Sequence, residues 1–343
     1  MRRLAIPLLL GFISGLASSS LRPTVAQGSE AELRVLTYES LNAPEGLRSV
    51  LFEAFEKRCG CKVRVQSAGD AAQILSRLEL ETLRGKAITQ VVVGIDQTLW
   101  PQARKRSLNL KVRFPVASQV EPEPKAELWE GFVAFDWGVL ALLSGEKRTQ
   151  SLRWQNLLLP EFSRKLILQD PRTSTPGFAW LWGAHQSLGA SSAEFFKALR
   201  NQWLTLTPGW SGSYSLFLKG EAPWVWTYST SLAYHLEKQD PVSYQVHFFK
   251  EGNPVQVEGA FAVAASLKTP EDKDRARQFL EFLVSEEVQR EIPLRQWMYP
   301  ARKDVKLPRS FEKVPLPHRS LRWNAQDQDF RQLVRKWEEW IRP

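Results

Sequence analysis

The stretch Gln90-Val91-Val92-Val93-Gly94-Ile95-Asp96 is apolar at consecutive positions rather than alternate ones. A strand with one wet face alternates. One that is apolar throughout must be covered on both faces, which is the condition of a strand inside a parallel sheet. The residues before it supply the partners. Glu32-Leu33-Arg34-Val35-Leu36-Thr37-Tyr38 alternates as a strand, and Gly46 to Arg58 then carries Leu47, Val50, Leu51, Ala54 and Phe55 at helical spacing. Lys62 to Gln66 is a second short strand, and Asp70 opens a helix with Ile74, Leu75 and Leu78 on one face. Strand, helix, strand, helix, strand predicts an α/β lobe built on a parallel sheet. Ligands of such sheets sit beyond the carboxyl ends of the strands, where Tyr38, Asp70 and Asp96 fall.

A second lobe repeats the alternation. Gly131 to Leu143 is a long strand-like run leading into it, followed by a strand at Lys165 to Leu168. Next comes Gln169-Asp170-Pro171-Arg172-Thr173-Ser174-Thr175-Pro176-Gly177, a turn, two hydroxyl residues and a proline suited to the first position of a helix. Such a helix start presents backbone N–H groups and the positive end of the helix dipole, and so suits an anion. A capping-box pattern at Ser191-Ser192-Ala193-Glu194 predicts another helix. Leu204 to Thr207 and Trp224 to Tyr228 read as strands, with a short helix at Ser213 to Lys219 between them and another from Ser231. Tyr244 to Lys250 and Val255 to Ala265 would carry the chain back, and helices follow at Pro270 to Val284 and Gln326 to Ile341. The expected division is 32–143 for the first part of lobe 1, 144–253 for lobe 2, and 254–343 for the return and the C-terminal helices. A Pro-rich, charged stretch lies at Lys303 to Arg319.

Residues 1–26 open with Met1-Arg2-Arg3 and continue in an apolar run too short to span a bilayer comfortably, the pattern of a secretory signal peptide. Small residues suited to cleavage lie at Ala17 to Ser20 and at Ala26. No later run is apolar enough for a membrane span, so the expectation is a soluble exported protein. The formal charge of +9 falls to +6 without Arg2, Arg3 and Arg22, and the remaining cations are scattered among 37 acids, which argues against nucleic acid as a partner. Cys59 and Cys61 are the only cysteines, and a disulfide and a reduced pair are both compatible with their spacing and with export. His185, His235, His247 and His318 show no metal-binding spacing, and no cofactor or metal is expected.

Two lobes joined by two crossings in an exported protein describe the two-lobe (type II) periplasmic binding protein fold, with a ligand cleft between the lobes. Several blocks occur in one order: Phe55-Glu56 with Cys59 and Cys61, Gln169 to Gly177, Gly209-Trp210-Ser211, Leu216 to Glu221, Ala233-Tyr234-His235, and Trp297-Met298-Tyr299-Pro300. Together they resemble the thiamine-binding periplasmic proteins of bacterial ABC importers, from about Leu33 to Pro300. The resemblance implies capture of thiamine and its mono- and diphosphate, delivery to an inner-membrane permease, no catalysis, and a monomer. It implies that Tyr38, Tyr234 and Trp297 stack on the ligand's rings. A flat cation calls for such aromatic faces, each worth roughly 0.5–2 kcal/mol. Ser174, Thr175, Trp210 and the run Tyr228-Ser229-Thr230-Ser231 would hold the hydroxyl or phosphate end, with Asp70 and Ala71 contributed by the first lobe. Ala71 stands where the family usually has glycine, and Leu36 where relatives often carry an aromatic residue. Packing and helix capping are the alternative roles of all these residues.

Other readings are weaker. Thiaminase I shares the fold and ligand but needs a cleft cysteine with an acidic base, and both cysteines here lie away from the expected cleft. Gly209-Trp210-Ser211-Gly212-Ser213 lacks the last glycine of a nucleophile elbow, and Ser144-Gly145-Glu146-Lys147 has no companion motifs. Ferric-ion binding on this fold uses adjacent tyrosines, which the chain lacks. A polyamine would want several cleft carboxylates, and a phosphonate would change only the ligand.

Overall fold

The computed structural model describes residues 31–113, 130–148, 150–323 and 330–342. The leader expected over 1–26 and the expected start of the last helix at Gln326 lie outside them. Strand β1 (Glu32–Thr37) is followed by a helical stretch Arg48–Glu53 running into α1 (Ala54–Cys59), then β2 (Lys62–Ser67), α2 (Ala71–Leu83) and β3 (Val91–Asp96). After α3 (Trp100–Ala103) and β4 (Ser107–Leu108) comes the long strand β5 (Val133–Ser144). The middle of the chain forms β6 (Leu166–Gln169), α4 (Thr175–Leu188), α5 (Ser192–Leu199), β7 (Trp203–Thr207), α6 (Trp210–Leu218), β8 (Trp224–Tyr228) and α7 (Ser231–Glu237). Then follow β9 (Gln245–His247), the second long strand β10 (Asn253–Val263), α8 (Pro270–Leu283), α9 (Glu286–Gln289), α10 (Ile292–Arg295), β11 (Tyr299–Pro300), α11 (Arg309–Glu312), β12 (Ser320–Leu321) and α12 (Phe330–Trp340).

The main sheet runs β2-β1-β3-β10-β5-β8-β6-β7. Its two ends are alike: β2, β1 and β3 are mutually parallel, as are β7, β6 and β8. β3 is buried at every residue, as its unbroken apolar run requires. Between the two triplets lie β10 and β5, antiparallel to each other and to their outer neighbours. β5 pairs with β10 through Val133–Val139 and with β8 through Leu140–Ser144, so one strand serves both halves. The register of β10 shifts at Gly259 and its neighbours against both β3 and β5, and such bulges bend a strand where the halves must diverge. Gly259 is required there because a Cβ would lie 2.2 Å from the Phe132 ring.

Local chemistry sets the helix starts. Asp70 caps α2 in a capping box, its Oδ1 accepting from Ala71 N at 2.6 Å while Gln73 Oε1 accepts from Asp70 N at 2.9 Å. Ser174 caps α4, its hydroxyl oxygen accepting from Gly177 N, so Thr175 is the first helical residue and Pro176 the second, one position later than the sequence order predicts. Gly177 lies close to the turn before the helix, where a Cβ would meet Asp170 O at 2.7 Å. The capping box expected at Ser191–Glu194 does not form. Ser192 instead donates to Gly189 O at 2.7 Å in a tight turn before α5, and Ser191 makes no side-chain cap. Thr230, rather than Ser231, occupies the N-cap position of α7.

Cys59 and Cys61 are joined by a disulfide across Gly60, which takes φ +59° at the end of α1. The last helix packs on the second half of the sheet's cover. Its buried residues Phe330, Leu333, Val334 and Trp337 follow helical spacing, with Trp337 edge-on to Trp180 of α4, and Trp340 stacks on Phe196 of α5. Among the described residues no helix is long and apolar enough to cross a membrane.

Candidate functional site

The carboxyl ends of β1 and β3, the starts of α2 and α6, the end of β8 and the turn after α10 converge on a cavity of about 290 Å³. That is near the lower bound of ordinary small-molecule pockets. Tyr38, the first residue beyond β1, lies flat against β3. Gly94 makes this possible, since a Cβ there would stand 2.3 Å from Tyr38 Cε1, and its φ of +94° also favours glycine. The Tyr38 hydroxyl donates to Glu258 Oε2 at 2.7 Å and accepts from Gln296 Nε2 at 2.8 Å.

Across the cavity, Trp210 begins α6, and its indole stacks on Tyr214 with ring centres 4.7 Å apart. Its Nε1 donates to Thr227 Oγ1 at 2.8 Å, and that hydroxyl lies 2.8 Å from Ser231 Oγ. Behind them Tyr214 OH lies 2.9 Å from His235 Nε2, and His235 Nδ1 lies 3.1 Å from Asp240 Oδ2. The orientation of the cavity-lining tryptophan is therefore tied to a chain of polar side chains. Trp297 closes another wall from a left-handed backbone conformation, φ +56°, uncommon for any residue with a side chain. Backbone strain of this kind clusters at functional sites. Its ring stands perpendicular to Tyr234, with centres 5.1 Å apart.

Of the residues singled out from the sequence, Tyr38, Asp70, Ala71, Trp210, Tyr228, Ser231 and Trp297 line the cavity. Ser174, Thr175, Ser229, Thr230 and Tyr234 do not, and stand behind the lining. Thr175 Oγ1 accepts from Gln256 Nε2 at 3.2 Å, while the buried hydroxyls of Ser229 and Thr230 have no partner among the described residues. Ser174 is fully buried, and its hydroxyl, with the backbone N–H of Trp210, bears on the Asp70 carboxylate. A Cβ on Gly209 would lie 3.0 Å from Asp70 Oδ2. The anion position at these two helix starts is thus met by a carboxylate from the opposite wall. Burial raises the Asp70 pKa, and the bonds from Ala71, Ser174 and Trp210 act against that rise. Asp96 does not line the cavity. It turns back to accept from Thr98 N, Thr98 Oγ1 and Leu99 N, and burial pushes it up to about 7.

Glu258, Gln296, Arg295 and Met298 line the cavity without having been singled out. Glu258 carried a usable signal, the one charged residue in the run Val255 to Ala265, whose only other polar side chain is Gln256, and Asp136 is its counterpart in Gly131 to Leu143. The register places Glu258 opposite Asp96 on β3 and Asp136 on β5. Burial, then the neighbouring negative charges, raises Glu258; burial, then Glu258, raises Asp136 well above the usual carboxylate range. Arg295 is engaged by Glu291 at 2.7 Å. The cavity therefore combines aromatic faces with an excess of carboxylates. Neither cysteine reaches it, and among the described residues no group of three His, Cys, Asp or Glu side chains could hold a metal.

Comparison with known proteins agrees with this architecture. Residues 42–292 match the family model described as bacterial extracellular solute-binding protein. The chain is 37% identical over 293 residues to the thiamine-binding periplasmic protein of Escherichia coli (strain K12), covering 84% of this chain and 86% of that one. It is 35% identical over 311 residues to the protein of the same name from Salmonella typhimurium, covering 90% and 91%. A solved periplasmic thiamin binding protein superposes with a TM-score of 0.82 at 32% identity, covering 92% of this chain and 97% of its own.

Proposed function

Because the chain belongs to the bacterial extracellular solute-binding proteins, we propose that it captures thiamine in the periplasm. Its two halves close about β5 and β10, and the ligand is handed to the permease of an ABC importer without being chemically changed. The carrying observation is the cavity wall. Tyr38, Trp210, Tyr228 and Trp297 offer aromatic faces beside the carboxylates of Asp70 and Glu258, a lining suited to a flat cation. On the wall the Ser231 hydroxyl would serve the hydroxyethyl arm or a phosphate on it, and Ser229, Thr230, Ser174 and Thr175 would support that end from behind the lining. Thiamine monophosphate and diphosphate are further ligands on this reading, and the protein acts as a monomer. Closure would follow from tighter binding to the closed form than to the open one.

A thiaminase-like reaction would need a nucleophile. The cavity holds an acid, Glu258, but Cys59 and Cys61 are bonded to each other away from it. The test is calorimetric titration of the mature protein with thiamine and its mono- and diphosphate, followed by analysis of the thiamine for cleavage. Stoichiometric binding with intact ligand is the expected result, and absence of binding to all three would overturn the reading. Trp297→Ala should weaken thiamine binding by about 1 kcal/mol or more with the fold intact, and Tyr234→Ala, which removes the ring set edge-on to Trp297 behind the lining, should weaken it through Trp297. Unchanged affinity in both would remove these residues from the site.

A further inference from the structure

We infer that the Glu258 side chain is the counter-ion that selects a positively charged ligand, and that capture of the cation expels a proton from the acid pair Glu258 and Asp136. The inference rests on the cleft reading above and adds a residue and a coupled ion to it. Glu258 sits on β10, one of the two strands shared by the halves, and lines the cavity. Its titratable neighbours are acids and phenols, and its amide partner, Gln256, donates from Nε2 to Oε1 at 3.3 Å without bringing a charge. Tyr38 beyond β1 donates to it at 2.7 Å, Asp96 stands opposite on β3, and Asp136 stands opposite on β5. Tyr228 of β8 and Asp70 at the start of α2 also bear on it. The cationic side chain of the lining, Arg295, is paired with Glu291.

Asp136 supplies the second, independent observation. It is fully buried, and neither of its carboxyl oxygens has a partner among the described residues. Two facing carboxyl groups with no neutralising cation cannot both remain ionised in such surroundings, so at least one proton is retained. A permanent positive charge entering beside Glu258 supplies the missing neutralisation. The ionised form then becomes the better bound one, and the proton leaves to solvent. The charge balance closes: one cation enters and one proton departs. An exposed carboxylate would give the same attraction without proton release, so the coupling follows from burial.

The test uses the mature protein, thiamine, and 3-deazathiamine, a neutral isostere of the cationic ring. Titrations at pH 7 to 8 in two buffers of different ionisation heat measure the protons exchanged. Wild type should release a proton on binding thiamine and none on binding the neutral isostere, with thiamine affinity rising as pH rises. Glu258→Gln should lose thiamine affinity by tenfold or more, keep its affinity for the isostere, and release no proton. Equal loss for both ligands would show that Glu258 only packs the wall and would overturn the inference. So would release of no proton by wild type, a measurement that stands even if the variant fails to fold. Absence of thiamine binding by wild type would overturn the thiamine reading itself, and the inference with it.

Discussion

At the residue scale, burial decides what each ionisable group does. His247 on β9 lies against the Trp224 ring, centres 4.7 Å apart, and its Nε2 has no partner among the described residues. Burial, then the charge of Arg148, pushes it down to about 4 from an ordinary 6.5. Below pH 6.5 the unfolded chain takes up a proton that the folded chain refuses until about pH 4. The unfolded state thus binds more protons in that window. Stability present above pH 6.5 is lost as the pH falls toward 4, with a slope of up to about 1.4 kcal/mol per pH unit. His247→Gln should flatten that part of the curve, as thermal unfolding between pH 4 and 7 would read; an unchanged slope would exclude His247 as its source. The aromatic residues divide in a way that residue type alone does not show. Tyr38, Trp210 and Trp297 stand on the cavity wall, while Trp154, Trp180, Trp224, Trp226 and Trp337 are fully buried packing. Composition does not separate these groups, because an indole at a wall and an indole in a core differ only in their neighbours.

At the scale of elements, the helix starts carry the chemistry. The order Ser174-Thr175-Pro176 announces α4, and Asp70 announces α2. What a linear reading omits is that the two starts meet, so that the cap of α2 also occupies the ground in front of α4 and α6. On the proposed function a phosphate arriving there meets a carboxylate, and like charges repel. Asp70→Asn should therefore shift preference toward thiamine monophosphate over thiamine by several fold, measured as the ratio of two dissociation constants. Because asparagine also caps well, the helix itself should persist. A ratio unchanged or shifted toward thiamine would place the phosphate elsewhere. The false capping box at Ser191–Glu194 shows the limit of motif reading: the pattern is present, but Ser191 ends the tight turn Gly189–Ser191 with ψ near 5° instead of the extended backbone an N-cap needs.

At the scale of the whole molecule, the chain crosses between halves on β5 and β10 and later returns to the second half through α12. Trp337 is fully buried there, also facing the Arg172 guanidinium at 6.0 Å. Trp337→Ala should cost about 3–5 kcal/mol of stability, the usual cost of emptying a large aromatic site. Denaturant unfolding would read that loss, and thiamine affinity at temperatures where the protein is folded should be unchanged, since Trp337 is not part of the cavity wall. A loss of affinity would mean that α12 shapes the cleft. The α/β alternation, the two long crossing strands and most helix starts are written in the order of residues, because periodicity, capping and turn chemistry act over a few neighbouring positions. That order also marks Glu258 and Asp136 as acids out of place in apolar strands. It does not contain the facts that these acids face each other, that Asp70 reaches Ser174 and Trp210, and that Gln296 meets Tyr38. Those contacts depend on strand register and on how the halves meet. Both are set by the packing of residues more than a hundred positions apart, which no local pattern encodes.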